Sequence, residues 1–390
     1  MVLAPFQVDF DVTMKCMYKC RHCNVAAGEK LNDEMSSEQI KKVLDQLDEV
    51  GVSDVSITGG EPLLREDCLE LLEYAGKKEG FYLTLNTNGL LLNEEKIKFL
   101  EAYCPKINIA VSLDGYNPET YSVLRKSYIE YDKILDQEFF IIVENLKRLV
   151  KSKLSVGINY TITHATINNI WKTYEFINGL GIKRMLGIKF FPYGHGRLNR
   201  EILELNYDEW KDFLVDATAK KSKDDYYHGV QISVTCPWEM YVPLLENGYT
   251  EDDVVDKWDY CSPLKSELYR RKRNLGCHAG ITSCAISPNG DLYPCGTISS
   301  KFPPFVCGNL KEKDLMDIWQ NSTVLKKLRN LDISMIEGNC KECKYVELCG
   351  GGCRARAFTQ FNSLVAQDYL CPLNCIKERE GVRDGNAMHC

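Results

Sequence analysis

The chain predicts an α/β protein, a parallel sheet of strand–helix units followed by a smaller cysteine-rich domain. Three observations carry this reading. Short apolar strands alternate with amphipathic helices over residues 1–220. Residues 221–276 are charged, aromatic and irregular, and read as a bridge. Residues 277–390 hold eleven of the eighteen cysteines and one clear helix, over 315–331.

Strands are expected at 8–12, 55–58, 81–86, 107–113, 155–163 and 185–191. The helix after the first strand shows the pattern: Ser36 or Ser37 caps it, Ile40, Val43, Leu44 and Leu47 share one face, and Gly51 ends it. Comparable helices are expected at 68–78, 94–103, 139–151, 168–179 and 207–220. Strands separated by helices imply parallel pairing; periodicity leaves open whether the sheet closes into a barrel. The last domain is expected to need its metal to fold well.

At 390 residues, with 44% hydrophobic and 26% charged residues, the composition is that of a soluble globular protein. The net charge of −7 argues against a nucleic-acid binder or a partner of anionic membranes. Residues 1–15 carry Asp9 and Asp11 and lack the apolar core of a secretory signal, and the aliphatic–aromatic run at 139–143 is too short to span a bilayer. A cytoplasmic location is therefore expected. In a reducing compartment, tightly spaced cysteines read as metal ligands rather than disulfides.

Cys16-Met-Tyr-Lys-Cys20-Arg-His-Cys23 follows the first strand directly. Three thiolates on one loop can ligate three irons of a 4Fe–4S cube and leave the fourth iron open. A zinc site completed by His22 is the alternative, but His22 adjoins Cys23 and is badly placed to share its tetrahedron. Further motifs sit at later strand ends: Thr58-Gly59-Gly60-Glu61-Pro62, Thr87-Asn88-Gly89 and Ser112-Leu113-Asp114-Gly115, with Arg125 following. In barrel-like α/β folds, active sites gather at those ends.

These motifs resemble the radical S-adenosylmethionine (SAM) superfamily, and the resemblance runs over essentially the whole chain. It implies a partial (β/α)6 TIM-like barrel with SAM bound at the strand ends. Gly59, Gly60 and Glu61 match the loop that holds the SAM amino group, Asn88 joins them, Ser112 falls near the ribose or carboxylate, and Arg125 pairs with the carboxylate. Asn159 and Thr161 are further candidates, and residues 190–194 match the segment beside the adenine. The cysteine-rich domain resembles the SPASM domain, which carries two auxiliary 4Fe–4S clusters. By position, Cys277, Cys295 and Cys353 hold the inner cluster, and Cys340, Cys343, Cys349 and Cys371 the outer one. The fourth inner ligand stays open: Cys261 or Cys236 upstream, Cys284 within the hairpin, or a site left for substrate.

The resemblance implies three 4Fe–4S clusters, SAM, and hydrogen abstraction from a ribosomally made precursor peptide that is then cross-linked, epimerised or decarboxylated. Residues 277–290 are close to the mycofactocin-type pattern. The expected partners are that peptide, a separate small peptide-recognition protein, and a low-potential donor such as ferredoxin or flavodoxin. Porphyrin side-chain tailoring in a haem pathway is the alternative. Formylglycine formation fits less well, because Gly296 rather than Asp follows Cys295. A non-catalytic iron–sulfur carrier would not need the glycine loop. Tyr193, His195, Arg197 and His164 lie near strand ends, but no catalytic acid or base is assigned.

Overall fold

A computed structural model describes residues 4–126, 132–232, 238–258, 275–298, 303–371 and 373. The chain forms two compact units, Met1–Glu204 with Ala279–Lys326, and Leu205–His278 with Lys327–Cys390. In the first unit, β1 (Gln7–Thr13), β2 (Asp54–Gly59), β3 (Tyr82–Thr87), β4 (Asn108–Ser112), β5 (Ser155–Ile162) and β6 (Met185–Lys189) lie within two residues of the sequence-based expectation. Each pairs in parallel with the next, because the helices between them carry the chain back across the sheet. The first of these, α1 (Ser37–Glu49), starts at a capping box of Ser36 and Gln39 and buries Ile40, Val43, Leu44 and Leu47.

The short strand β7 (Val230–Ile232) belongs to the second unit. Three later strands return to the first: β8 (Ser283–Ile286), β9 (Asp291–Tyr293) and β10 (Gly308–Asn309). β8 pairs in parallel with β1 from Gln7–Ser283 to Phe10–Ile286, and β9 and β10 continue antiparallel. The order within this unit is β10-β9-β8-β1-β2-β3-β4-β5-β6. A boundary at 277 therefore does not follow compactness, since residues 279–326 cover the edge of β1 that would otherwise stay unpaired. The helix expected over 315–331 is two, Leu315–Asn321 and Thr323–Arg329. Ser322 between them has extended backbone, in an Asn-Ser-Thr stretch of weak helix propensity.

Parallel strands covered on both faces read as unbroken apolar runs. Here only one face does. Val8, Phe10 and Val12 of β1 are fully buried on one side, while Asp9 and Asp11 lie on the other. Continuing across the sheet in register, Ser56 and Thr58, Thr84 and Asn86, Ser112, Asn159 and Thr161 share the face of Asp9 and Asp11. On β6 that face ends in Leu186 and Ile188. A polar inner face on a parallel sheet marks the wall of a site rather than a packed layer.

The second unit is built on the helix Tyr207–Lys223, which buries Trp210, Phe213, Leu214 and Ala217. Trp210 Nε1 donates to Met240 O at 2.8 Å and Trp258 Nε1 to Thr218 Oγ1 at 3.0 Å. Its cysteines sit on short turns over Gly338–Glu342 and Val346–Cys349 and at the start of the helix Arg354–Phe361. Gly350, Gly351 and Gly352 all have positive φ, and a Cβ on Gly350 would lie 2.1 Å from Gly276 N. Among the described residues no helix is long and apolar enough to cross a membrane.

Candidate active site

The loop after β1 brings Cys16, Cys20 and Cys23 together in one small cluster with Tyr18, Met17 and Leu90. Backbone bonds fix it from several sides. Cys16 N donates to Gly28 O at 2.8 Å, Lys19 N to Lys126 O at 2.7 Å, and Arg21 N to Leu124 O at 2.8 Å. His195 N donates to Cys23 O at 2.8 Å, which ties the run from Tyr193 to Arg197 to the cysteine loop. Ala26 adopts a left-handed φ of 50°, so the N–H groups of Val25, Ala26 and Ala27 turn toward the Cys23 sulfur. Ala27 N lies 3.4 Å from that Sγ, and Tyr18 N 3.4 Å from Cys16 Sγ.

Burial pushes the free Cys16 thiol up to about 11 and Cys20 up to about 12, with Arg125 pulling the other way on both. One buried and two half-buried thiols on one loop become thiolates together only beside added positive charge. The three sulfurs, their N–H donors and that requirement fit a cluster of iron ions.

The glycine loop docks onto the root of the cysteine loop. Gly60 N donates to Thr13 O at 2.7 Å and Glu61 N to Lys15 O at 2.8 Å. A Cβ on Gly59 would lie 2.4 Å from Thr13 O, and one on Gly60 2.2 Å from Lys15 O, so neither position admits a side chain. Glu61 is fully buried and occupied: Oε1 accepts from Thr87 Oγ1 at 2.7 Å and Leu63 N at 3.2 Å, and Oε2 from Asn88 N at 2.8 Å. Asn88 Nδ2 in turn meets Met17 Sδ at 2.9 Å. Glu61 thus locks the ends of β2 and β3 to each other, a role its place in the motif did not disclose.

Ser112 ends β4 opposite Asn159 of β5, whose Nδ2 donates to Asn86 Oδ1 at 3.0 Å. Arg125 is buried, with Nε and Nη2 on Asp114 Oδ2 at 2.9 and 2.7 Å, and its cation stands 5.3 Å from the Tyr121 ring. Asp114 Oδ1 accepts from Thr161 N at 2.7 Å, and His22 Nε2 lies 3.8 Å from Oδ2. Burial would raise the Asp114 carboxyl, but Arg125 and His22 outweigh it and hold it below the usual carboxylate range. The Nη1 edge of Arg125 makes no hydrogen bond among the described residues, and remains able to meet a carboxylate.

The radical SAM superfamily model matches residues 11–177, and the iron–sulfur cluster-binding SPASM model matches residues 277–344. The chain is a radical SAM enzyme with a SPASM domain. It is 27% identical over 372 residues to the AdoMet-dependent heme synthase of Methanosarcina barkeri, covering 95% of this chain and 97% of that one. It is 26% identical over 360 residues to the mycofactocin maturase MftC of Mycolicibacterium smegmatis, covering 91% and 79%. The fold matches Streptococcus suis SuiB bound to S-adenosylmethionine with a TM-score of 0.70 at 20% identity, over 95% of this chain and 77% of SuiB. Radical SAM enzymes with SPASM domains use SAM and 4Fe–4S clusters, and this chain does so.

The SPASM cysteines divide between the two units. In the second unit, Cys349 feels the charge of Cys371 and Cys340, and Cys371 that of Cys340 and Cys343. The four lie near enough for these charges to act on one another. Cys277 and Cys353 are buried in the same unit. Cys295 follows the β8–β9 hairpin in the first unit, and Cys284 of β8 pairs with Val8 and is fully buried on the apolar face. Cys261, Cys236, Cys375 and Cys390 lie outside the described residues. Among the described residues no three His, Cys, Asp or Glu side chains converge on a single metal ion.

Two residues of the radical SAM unit escaped sequence reasoning, Asp9 and Asp11. The signal was present: acids at alternate positions of a strand that should be apolar on both faces. Neither carboxylate has a hydrogen bond or a cation among the described residues, and Gly296 is held so close that a Cβ there would lie 2.5 Å from Asp9 Oδ2. Burial pushes Asp9 up to about 6, and burial with the Asp9 charge pushes Asp11 up to about 8. The folded Asp11 therefore keeps its proton up to about 8, where the unfolded chain loses it near 3.8. The native chain binds more protons between those values, so stability falls as pH rises through that window. Asp11→Asn should melt several degrees above the parent at about pH 8 and together with it at about pH 4. Identical melting at both values would contradict an ionisable Asp11 held beside Asp9.

Proposed function

We propose that this enzyme abstracts hydrogen from a ribosomally made precursor peptide and so modifies it after translation. In this reading Cys16, Cys20 and Cys23 hold the SAM-binding cluster. Gly59, Gly60, Asn88, Ser112 and Arg125 surround SAM, with Glu61 bracing that wall and Arg125 offering Nη1 to the SAM carboxylate. Cys277, Cys295 and Cys353 hold the inner auxiliary cluster, and Cys340, Cys343, Cys349 and Cys371 the outer one. When bound and reduced, the first cluster supplies the electron that splits SAM to a 5′-deoxyadenosyl radical. The protein's own residues orient SAM, exclude water and hold the substrate carbon in reach. A ferredoxin or flavodoxin is the proposed donor, and a small recognition protein the proposed carrier of the peptide.

The acidic wall of Asp9 and Asp11 carries the choice of substrate. A peptide offers amide N–H groups and basic side chains to uncompensated carboxyl groups, and apolar side chains to Leu186 and Ile188. At neutral pH Asp9, pushed up to about 6, is charged and would repel a porphyrin carboxylate, whereas Asp11 keeps its proton and offers a neutral carboxyl group. SuiB, which shares the fold, has been captured with its precursor peptide SuiA. A second reading, tetrapyrrole side-chain tailoring, is favoured by the near end-to-end match to the Methanosarcina barkeri heme synthase.

The test is turnover by the reconstituted enzyme with synthetic precursor peptides from neighbouring reading frames and, separately, with an iron porphyrin carrying propionates. The peptide reading expects substrate-dependent 5′-deoxyadenosine and a mass change on the peptide alone. Tight porphyrin binding with loss of a side chain would replace it with the second reading.

A further inference from the structure

Thr13-Met14-Lys15, the segment that leads from β1 into the cysteine loop, is gripped from two sides. On one side the glycine loop takes the carbonyls of Thr13 and Lys15. On the other stands Glu34, whose side chain is 1% exposed. Its Oε1 accepts from Met14 N at 2.8 Å, from Thr13 Oγ1 at 3.1 Å and from Leu31 N at 3.1 Å. Its Oε2 is buried without a hydrogen bond among the described residues and lies 3.9 Å from Arg65 Nη1.

Arg65, just past the glycine loop, grips the same place. Its Nη1 donates to Val12 O at 3.0 Å and Met35 O at 3.3 Å, while Nε and Nη2 are held by Asp67 at 2.9 and 2.7 Å. The Glu34 segment is also fixed on its outer side. Met35 N donates to Pro288 O at 2.7 Å, and Lys311 Nζ to Asp33 O at 2.8 Å. All these residues belong to the first unit. Glu34 is thus an anchored carboxylate, and hydrogen bonds to an ionised acceptor are the strong ones. What it holds is the joint between the three cysteines and the glycine loop. A shift there moves one against the other, and misplacement of reacting groups by about 1 Å costs about a hundredfold in rate.

We propose that Glu34 is a positioning residue for SAM cleavage. By holding Thr13 and Met14 it fixes the cysteine loop against Gly59, Gly60 and Glu61, and so sets how SAM lies on the cluster. The inference rests on the reading of Cys16, Cys20 and Cys23 as the ligands of the SAM-binding cluster.

The test uses the full chain, reconstituted anaerobically with its clusters. Glu34→Ala leaves Met14 N, Thr13 Oγ1 and Leu31 N without their acceptor. The expected result, at parental iron content, is SAM cleavage about a hundredfold slower at saturating SAM. The change that added SAM makes in the electron paramagnetic resonance signal of the reduced protein should shrink with it. Glu34→Gln keeps Oε1 for all three donors and should recover most of the rate and of the spectral change. Thr13→Val removes a single donor and serves where the alanine variant does not fold; it should show both effects in smaller measure. A lowered melting temperature with parental cleavage and a parental spectral change, in Glu34→Ala or in its Thr13→Val substitute, would overturn the proposal and leave Glu34 a role in folding alone. A glutamine variant as impaired as the alanine one would overturn it too. Failure of the underlying reading is separable: the Cys16→Ala/Cys20→Ala/Cys23→Ala protein would then still cleave SAM.

Discussion

The Cys16→Ala/Cys20→Ala/Cys23→Ala protein is expected to form no 5′-deoxyadenosine above background, a loss of at least about a thousandfold, while keeping auxiliary-cluster iron and absorbance. The size of the effect follows from the chemistry, since no side chain of the protein can supply the electron that splits SAM. Unfolding is not the expected cause. The loop is held by backbone bonds, Cys16 N to Gly28 O, Arg21 N to Leu124 O and His195 N to Cys23 O, none of which needs a thiol. Tyr18, Met14 and Val25 still pack beneath it. Retained SAM cleavage in this variant would refute the assignment of the three cysteines.

Asp114→Ala is expected to be the most damaging single substitution outside the cluster ligands. It strands the buried Arg125 guanidinium and removes the acceptor of Thr161 N. Breaking one side of a buried pair costs about 3–5 kcal/mol, and the melting temperature should fall by roughly 10 °C. Asp114→Asn keeps an acceptor for Thr161 N and should lose less. The pH dependence has a definite sign. The folded carboxyl lies below its unfolded value of 3.8, so its contribution is full above that value and is lost as pH falls through the folded pKa. SAM affinity should fall with stability, because Arg125 loses the partner that aims it. Calorimetry of parent and variants, with and without SAM, measures both effects. An Asp114→Ala protein that melts with the parent would contradict the buried pair.

Much of the radical SAM unit was legible in the sequence, because each strand–helix repeat announces itself locally. Ser36 and Gln39 form the cap that starts α1, and Leu47 lies on its apolar face. The long helix Asp132–Lys151 was read only from 139, since its first turns look polar. The pairing of β8 with β1 was not legible at all. Register between strands so distant in sequence is set by tertiary contacts, and Ser-Cys-Ala-Ile carries no mark of its partner.

The site shows the same division. The motif residues were found, but their orientations were not. Glu61 spends its carboxylate on Thr87, Leu63 and Asn88, and Arg125 spends half its guanidinium on Asp114. Asp9 and Asp11 were visible but read only as evidence against a signal peptide.

This chain is expected to cleave SAM reductively. The most direct measurement is 5′-deoxyadenosine and methionine formed by the anaerobically reconstituted full chain with SAM and a strong reductant, alone and with candidate peptide or porphyrin. Both products are expected in equal amounts, increased by the true substrate. Intact SAM recovered under every condition, from protein whose three clusters are loaded and reduced, would contradict it.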